Sequence, residues 1–223
     1  MIDYAFIVTG PGPKSHLFSL AVSPEYLTKS DRTKEEKLMR IISGTARGRK
    51  LKEPQGTDTR PTTDKVKESL FNIVQFELEG RRVLDLFAGT GQLGLEALSR
   101  GAEHCTFVDQ RREAAALVKE NIGLCRFEVC SEVAQSEALS FLRACGERFD
   151  VIFLDPPYKT DLLNQCLNMI TQFDILREHG IMVCESGLEW MVPPLEAPYE
   201  AGREYRYGQI KLTVCRRAGS VKR

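Results

Sequence analysis

Two groups of residues in this chain have types and spacings that could do chemistry. The first is Asp155-Pro156-Pro157-Tyr158, which abruptly ends the apolar run Val151-Ile152-Phe153-Leu154. A carboxylate and a carbonyl fixed by rigid prolines form a pair of oriented acceptors, and the adjacent tyrosine ring can stack on a base. This suits an exocyclic amino group conjugated to a ring, a poor nucleophile. Asp155 and the Pro156 carbonyl can hold its hydrogens and align its lone pair with an electrophilic methyl group. No strong general base is required, because the proton can leave after transfer and positioning carries most of the rate. The plainer alternative is a strand-ending turn with a surface tyrosine.

The second group is Asp85 with Gly89, Gly91 and Gly94, in the stretch Val83-Leu84-Asp85-Leu86-Phe87-Ala88-Gly89-Thr90-Gly91-Gln92-Leu93-Gly94. It reads as strand, glycine loop, helix. Such a turn presents backbone N–H groups and the positive end of a helix to a nucleotide-like ligand, and glycines permit close approach. The G-x-G-x-x-G spacing, with Asp109 ending the apolar run Cys105-Thr106-Phe107-Val108, also fits a dinucleotide site whose acid holds the ribose hydroxyls. Asp85 separates the two classes. It stands inside the strand, where a dinucleotide site usually has an apolar residue, and a buried acid must be satisfied. The cationic amino group of a methionine moiety would do so, directly or through water. The pattern Asp85-x-Phe87-Ala88-Gly89-Thr90-Gly91 resembles the first motif of S-adenosylmethionine-dependent methyltransferases. In an open α/β sheet, ligands bind outside the carboxyl ends of the strands, so Asp155 to Tyr158 should lie beside this loop.

The elements that position these groups follow from the rest of the pattern. Strands are expected over 82–87, 104–109, 126–130, 149–155 and 180–185, with helices near 92–100, 111–121, 135–145 and 160–172. The alternation implies a doubly wound, Rossmann-like and mostly parallel sheet with right-handed crossovers. Two further strands joined near Gly208 would give an antiparallel final pair. Ser136-Glu137-Ala138, after the third strand, is where an adenine would be held. Glu185 closes the fifth strand on the edge of Asp155 and could line the pocket or cap a loop. Tyr205, Arg206 and Tyr207 fit edge-strand packing better than an RNA face.

Before this core, 40–51 suggests two short strands around a glycine turn, and 57–63 reads as a loop ending in a helix N-cap. The next helix places Val66, Leu70, Ile73 and Val74 on one stripe, with Lys65, Lys67 and Glu68 outside it. From Arg40 to Lys67 there are eight basic residues against three acidic ones. In a chain of 223 residues with zero formal net charge, such a local excess beside the cofactor domain's entrance makes a phosphate-binding face. A solvated hairpin with ordinary surface lysines is the alternative.

Length allows one α/β domain with a small appendage. Residues 1–38 stand apart from this pattern and read as a poorly ordered leader, with Met39 as the expected true start. The expected units are then the extension 39–80, the catalytic domain 81–216 and a basic tail 217–223. Seven cysteines, no C-x-x-C and three histidines point to free thiols in a reducing cytoplasm and to no metal site. No stretch has the length of a membrane span.

Together, Arg40-Ile41-Ile42-Ser43-Gly44 with Arg47-Gly48-Arg49-Lys50-Leu51, Arg60-Pro61-Thr62, Val66-Lys67-Glu68-Ser69-Leu70-Phe71-Asn72, the run from Asp85 to Gly101 and Asp155-Pro156-Pro157-Tyr158 resemble one family. It is the bacterial 16S ribosomal RNA guanine-N2 methyltransferases, over about residues 39–216. The resemblance implies a class I methyltransferase fold with a seven-stranded sheet and an N-terminal hairpin and helix. It implies methyl transfer from S-adenosylmethionine to the 2-amino group of one guanine of the small subunit, by a cytoplasmic monomer that unstacks its target base. Asp155, Pro156, Pro157 and Tyr158 would be catalytic. Asp85, Phe87, Gly89, Gly91, Asp109, Glu137 and Ala138 would hold the cofactor, with Glu137 where the family often has another polar residue. Arg47, Arg49, Lys50, Arg60 and Thr62 would meet the RNA. The competing readings are a DNA adenine-N6 or cytosine-N4 methyltransferase, a dinucleotide-dependent oxidoreductase, and a non-catalytic RNA-binding or ribosome-assembly protein.

Overall fold

The computed structural model describes residues 39–54, 64–157 and 161–219. Arg60, Thr62, Tyr158 and the expected leader 1–38 lie outside the described residues. From Arg82 onward, strand and helix alternate as β1 (Arg82–Asp85), α2 (Gln92–Ser99), β2 (His104–Asp109), α3 (Arg112–Cys125), β3 (Ser131–Gln135), α4 (Ala138–Ala144), β4 (Phe149–Leu154), α5 (Leu162–Gln172) and β5 (Leu176–Gly187). The pair β6 (Tyr199–Tyr207) and β7 (Ile210–Arg217) follows, and α1 (Asp64–Ile73) precedes the sheet. The seven strands lie in the order β3-β2-β1-β4-β5-β7-β6. Pairings from β3 through β5 are parallel, and β7 runs antiparallel to both β5 and β6. Strand order reverses between β1 and β4, so a crevice opens at their carboxyl ends.

The apolar strand residues divide by parity between two cores. Val83, Phe107, Val151, Phe153, Ile181 and Val183 face α1, α2 and α3, while Leu84, Val108, Ile152, Leu154, Met182 and Cys184 face α4 and α5. Burial on both faces is what makes these strands near-continuous apolar runs. Phe71 of α1 meets Phe153 edge-on at 5.8 Å. Gly94 lets α2 lie against β2: a Cβ there would come within 2.3 Å of the Phe107 ring and 2.6 Å of Cys105 Sγ.

The third strand falls at Ser131–Gln135, not at 126–130. Helix α3 continues to Cys125 with Ile122 and Cys125 buried, Arg126 closes it in the left-handed region at φ 63°, and a 3₁₀ turn spans Glu128–Cys130. The true strand is a sheet edge with a half-exposed, mixed sequence, so it lacks the apolar signature of its inner neighbours. Strand β5 begins earlier than expected, and Arg216 and Arg217 belong to β7, where they pair with Glu77 and Asp174. Among the described residues, no helix is long and apolar enough to cross a membrane and no cluster of His, Cys, Asp and Glu could hold a metal. All seven cysteines are free thiols.

The segment 39–54 is a tight turn rather than two strands: a single bridge joins Arg40 to Lys50, flanked by Ile41 N–H to Arg49 C=O and Leu51 N–H to Met39 C=O. Polar residues of α2 and α3 hold it. Glu96, wholly buried, accepts from the backbone N–H groups of Ile42 and Ser43 at 2.7 and 2.9 Å and from Arg100 Nε at 2.8 Å. Ser99 donates to Ser43 C=O and accepts from Ala46 N–H. Gly44 approaches so closely that a Cβ would sit 1.7 Å from the Ser99 carbonyl oxygen. Buried Asn121 takes both backbone groups of Lys52 and donates to Thr90 C=O in the glycine loop at 2.9 Å. Lys67 is not a surface residue of α1. It is fully buried, donates to Arg40 C=O at 2.7 Å and lies 4.0 Å from Glu96, so the charge is paired inside the joint.

Candidate active site

The glycine loop takes its shape from long-range hydrogen bonds. Gly89 and Gly91 sit at φ 55° and 80°, a region that costs residues with a Cβ energy, and Gly91 caps α2 in that conformation. Ala88 N–H bonds to Val108 C=O. At the end of β2, Asp109 Oδ2 accepts from Gly89 N–H at 3.0 Å and Oδ1 from Arg111 N–H at 2.9 Å. Asp109 thus ties the loop to the neighbouring strand as well as facing the cleft.

Asp85 is 2 % exposed, and its Oδ2 accepts from Gly94 N–H at 3.0 Å, near the start of α2. Burial is the main cause that lifts its pKa to about 7; the Gly94 bond works against the rise and the Asp109 charge adds to it. Asp155 and Glu185 occupy the same face. In the β4–β5 register Leu154 pairs with Cys184, so the next pair is Asp155 beside Glu185. Burial, then the Glu185 charge, then that of Asp85, push the Asp155 carboxyl well above its ordinary value. Three carboxyl groups therefore gather at the carboxyl ends of β1, β4 and β5, an arrangement that calls for a cation.

A cleft of about 520 Å³ opens above them, within the range of small-molecule sites. Phe87, Gly89, Asp109, Glu137, Ala138, Asp155, Pro156 and Pro157 all border it, so the structure brings together most of the residues expected from the sequence. Asp85 and Gly91 are not among the lining residues. Glu137 also serves the fold, since its carboxylate caps α4 through Ser140 N–H and Oγ at 2.8 and 2.9 Å, which holds its pKa below the ordinary value. Gln110, Arg111, Leu162 and Glu185 also border the cleft. Of these, Glu185 was legible as a candidate, and the others carry no local signal.

The basic turn docks on α2 and α3 at Ser99, Leu124 and Asn121, and its flanks reach the glycine loop, where Thr90 Oγ1 donates to Met39 Sδ and Asn121 links Thr90 C=O to Lys52. None of its described residues borders the cleft itself. Arg49 is half-buried and donates to Leu124 C=O at 2.6 Å, closing the last turn of α3. Lys52 pairs with Glu120. Arg47 and Lys50 are exposed, with no polar side-chain partner among the described residues.

The residues present fit S-adenosylmethionine: the carboxyl row suits a cationic group, and Asp109, Glu137 and Ala138 border the same cleft with polar groups for a nucleoside. Comparison with known proteins agrees. A family model described as "Conserved hypothetical protein 95" matches residues 39–216. The chain is 43% identical over 184 residues to YlbH of Bacillus subtilis (strain 168), which bears an rRNA methyltransferase name, covering 81% of this chain and 100% of that protein. It is 35% identical over 179 residues to "Ribosomal RNA small subunit methyltransferase D" of Escherichia coli (strain K12), covering 80% and 90%. The solved structure of yhhF from Escherichia coli superposes with a TM-score of 0.75 at 33% identity, over 82% of this chain and 99% of that one. With its strand order, its glycine loop and these relatives, the chain belongs to the family of conserved hypothetical protein 95 and ribosomal RNA small subunit methyltransferase D, enzymes of the class I Rossmann-like methyltransferase fold.

Proposed function

We infer that this enzyme methylates the N2 amine of a guanine in 16S ribosomal RNA, acting on the small subunit in the cytoplasm as a monomer. The observation that carries this reading is the meeting of a rigid acceptor pair, Asp155 with the Pro156 carbonyl, and a cation-seeking cleft at the sheet's switch point. The names of its relatives support small-subunit rRNA as the substrate.

The bound cofactor supplies a methyl group on a positively charged sulfur, which leaves as a neutral thioether. Asp85 and Asp109 fix the loop that receives it, and Glu137 and Ala138 flank the adenine. Asp155 and the Pro156 carbonyl accept the two hydrogens of the 2-amino group, so its lone pair faces the methyl carbon. The nitrogen then sheds one proton to Asp155, whose raised proton affinity suits it to accept one, and from there to water. Tyr158 would stack on the base. Residues 39–80 form the RNA-binding unit, with Arg47 and Lys50 meeting phosphates, and Arg60 and Thr62 completing the contact.

The test is methyl transfer from labelled S-adenosylmethionine to undermethylated small subunits, free ribosomal RNA and duplex DNA in parallel, with nucleoside analysis of the product. N2-methylguanosine on subunits is the expected result. Label in DNA adenine or cytosine, or none despite cofactor binding, would overturn the reading.

A further inference from the structure

Glu185 has no part in the transfer of the methyl group itself, yet the fold sets it against the acceptor pair. It is 3 % exposed and borders the same cleft as Asp155, Pro156 and Leu162. The last pair of the β4–β5 register, Leu154 with Cys184, immediately precedes both residues, and the Glu185 charge is felt at Asp155. Two neighbouring carboxyls, one buried and one half-buried, repel each other, a local cost that native proteins tolerate chiefly at functional sites. Both carboxyls share the cleft with Pro156, Pro157 and Leu162, so a base held by Asp155 and the Pro156 carbonyl would meet Glu185 too.

Guanine explains it. Along one edge, guanine presents a ring N1–H beside its 2-amino group, so consecutive donors face consecutive acceptors. Adenine and cytosine instead place a bare ring nitrogen beside the amino group, and its lone pair would point at a carboxylate. We propose that Glu185 accepts the N1–H of the target guanine while Asp155 holds the 2-amino group, making Glu185 the residue that selects guanine over bases with no ring N–H beside the amino group. This rests on the guanine-N2 reading above. A base extruded into a pocket is read along this edge, and the second acceptor supplies discrimination by repulsion as well as attraction.

The experiment uses small subunits reconstituted with 16S RNA carrying either guanine or 2-aminopurine at the position mapped by product analysis. 2-Aminopurine keeps the 2-amino group but has a bare N1. The wild-type enzyme should prefer guanine by about 10- to 100-fold in kcat/KM, the factor carried by one charge-assisted hydrogen bond. Glu185→Gln, whose amide can donate to a bare nitrogen, should bring the ratio to within about threefold, in part by a gain on 2-aminopurine that a damaged fold could not produce. Glu185→Asp should slow guanine transfer without admitting 2-aminopurine. Cofactor affinity and melting temperature of each variant report the fold separately. An unchanged ratio in Glu185→Gln, or equal use of both bases by the wild type, overturns the proposal. If no N2-methylguanosine forms on unmodified subunits, it is the underlying guanine reading that fails.

Discussion

Replacing Asp85 by Asn keeps the shape of the side chain and its acceptor for Gly94 N–H, but removes a charge that burial disfavours. A rise from its ordinary 3.8 to about 7 corresponds to about 4 kcal/mol, at about 1.4 kcal/mol per pH unit. The sign follows from linkage. Between about pH 4 and 7 the folded chain holds a proton that the unfolded chain has lost. The stabilisation associated with that proton is therefore complete below about 4 and is lost as pH rises through about 7. A cationic ligand reverses the preference, because it favours the ionised carboxylate. Cofactor binding should then release a proton below pH 7, with affinity rising by up to tenfold per pH unit and levelling above. Asp85→Asn should melt several degrees higher than wild type at pH 8 without ligand. It should bind S-adenosylmethionine more weakly and lose this part of the pH dependence, leaving whatever Asp155 contributes. Calorimetric titration from pH 5.5 to 8.5, with melting curves over the same range, measures both. Identical pH profiles for the two proteins would refute the assignment of Asp85 as the cation-facing charge.

Four other outcomes follow from the geometry. Asp155→Ala should abolish turnover while cofactor affinity stays within a few-fold, checked by single-turnover transfer beside direct binding, because Asp155 positions the amine. Arg47→Ala with Lys50→Ala should weaken substrate binding and lower its salt slope by about one for each phosphate no longer neutralised, with cofactor binding unchanged. Arg49→Ala should instead lower the melting temperature, since Arg49 closes the end of α3. Gly94→Ala should destabilise the fold by about 1–3 kcal/mol or more, measured by denaturant unfolding, because its Cβ meets Phe107 and Cys105.

The parts of this protein visible in its sequence are those whose signal is local. Asp155-Pro156-Pro157 announces itself because proline fixes geometry within the segment, and the glycine loop because positive φ at Gly89 and Gly91 demands glycine where it stands. The inner strands β1, β2 and β4 are legible because burial on both faces leaves uninterrupted apolar runs. Tertiary structure decided what depends on partners far along the chain. The third strand moved to Ser131–Gln135 because an edge strand has one poorly covered side and needs no apolar run. Lys67, Glu96 and Asn121 look like ordinary polar residues until the extension folds over them, and their burial follows from backbone groups more than 25 residues distant. Arg49, expected by its charge to meet RNA, also donates to Leu124 C=O at the end of α3, a contact that no local pattern announces. The nearness of Asp155 and Glu185 belongs to tertiary structure: residue spacing along the chain fixes each carboxylate, but only the packing of β4 against β5 brings both to one cleft.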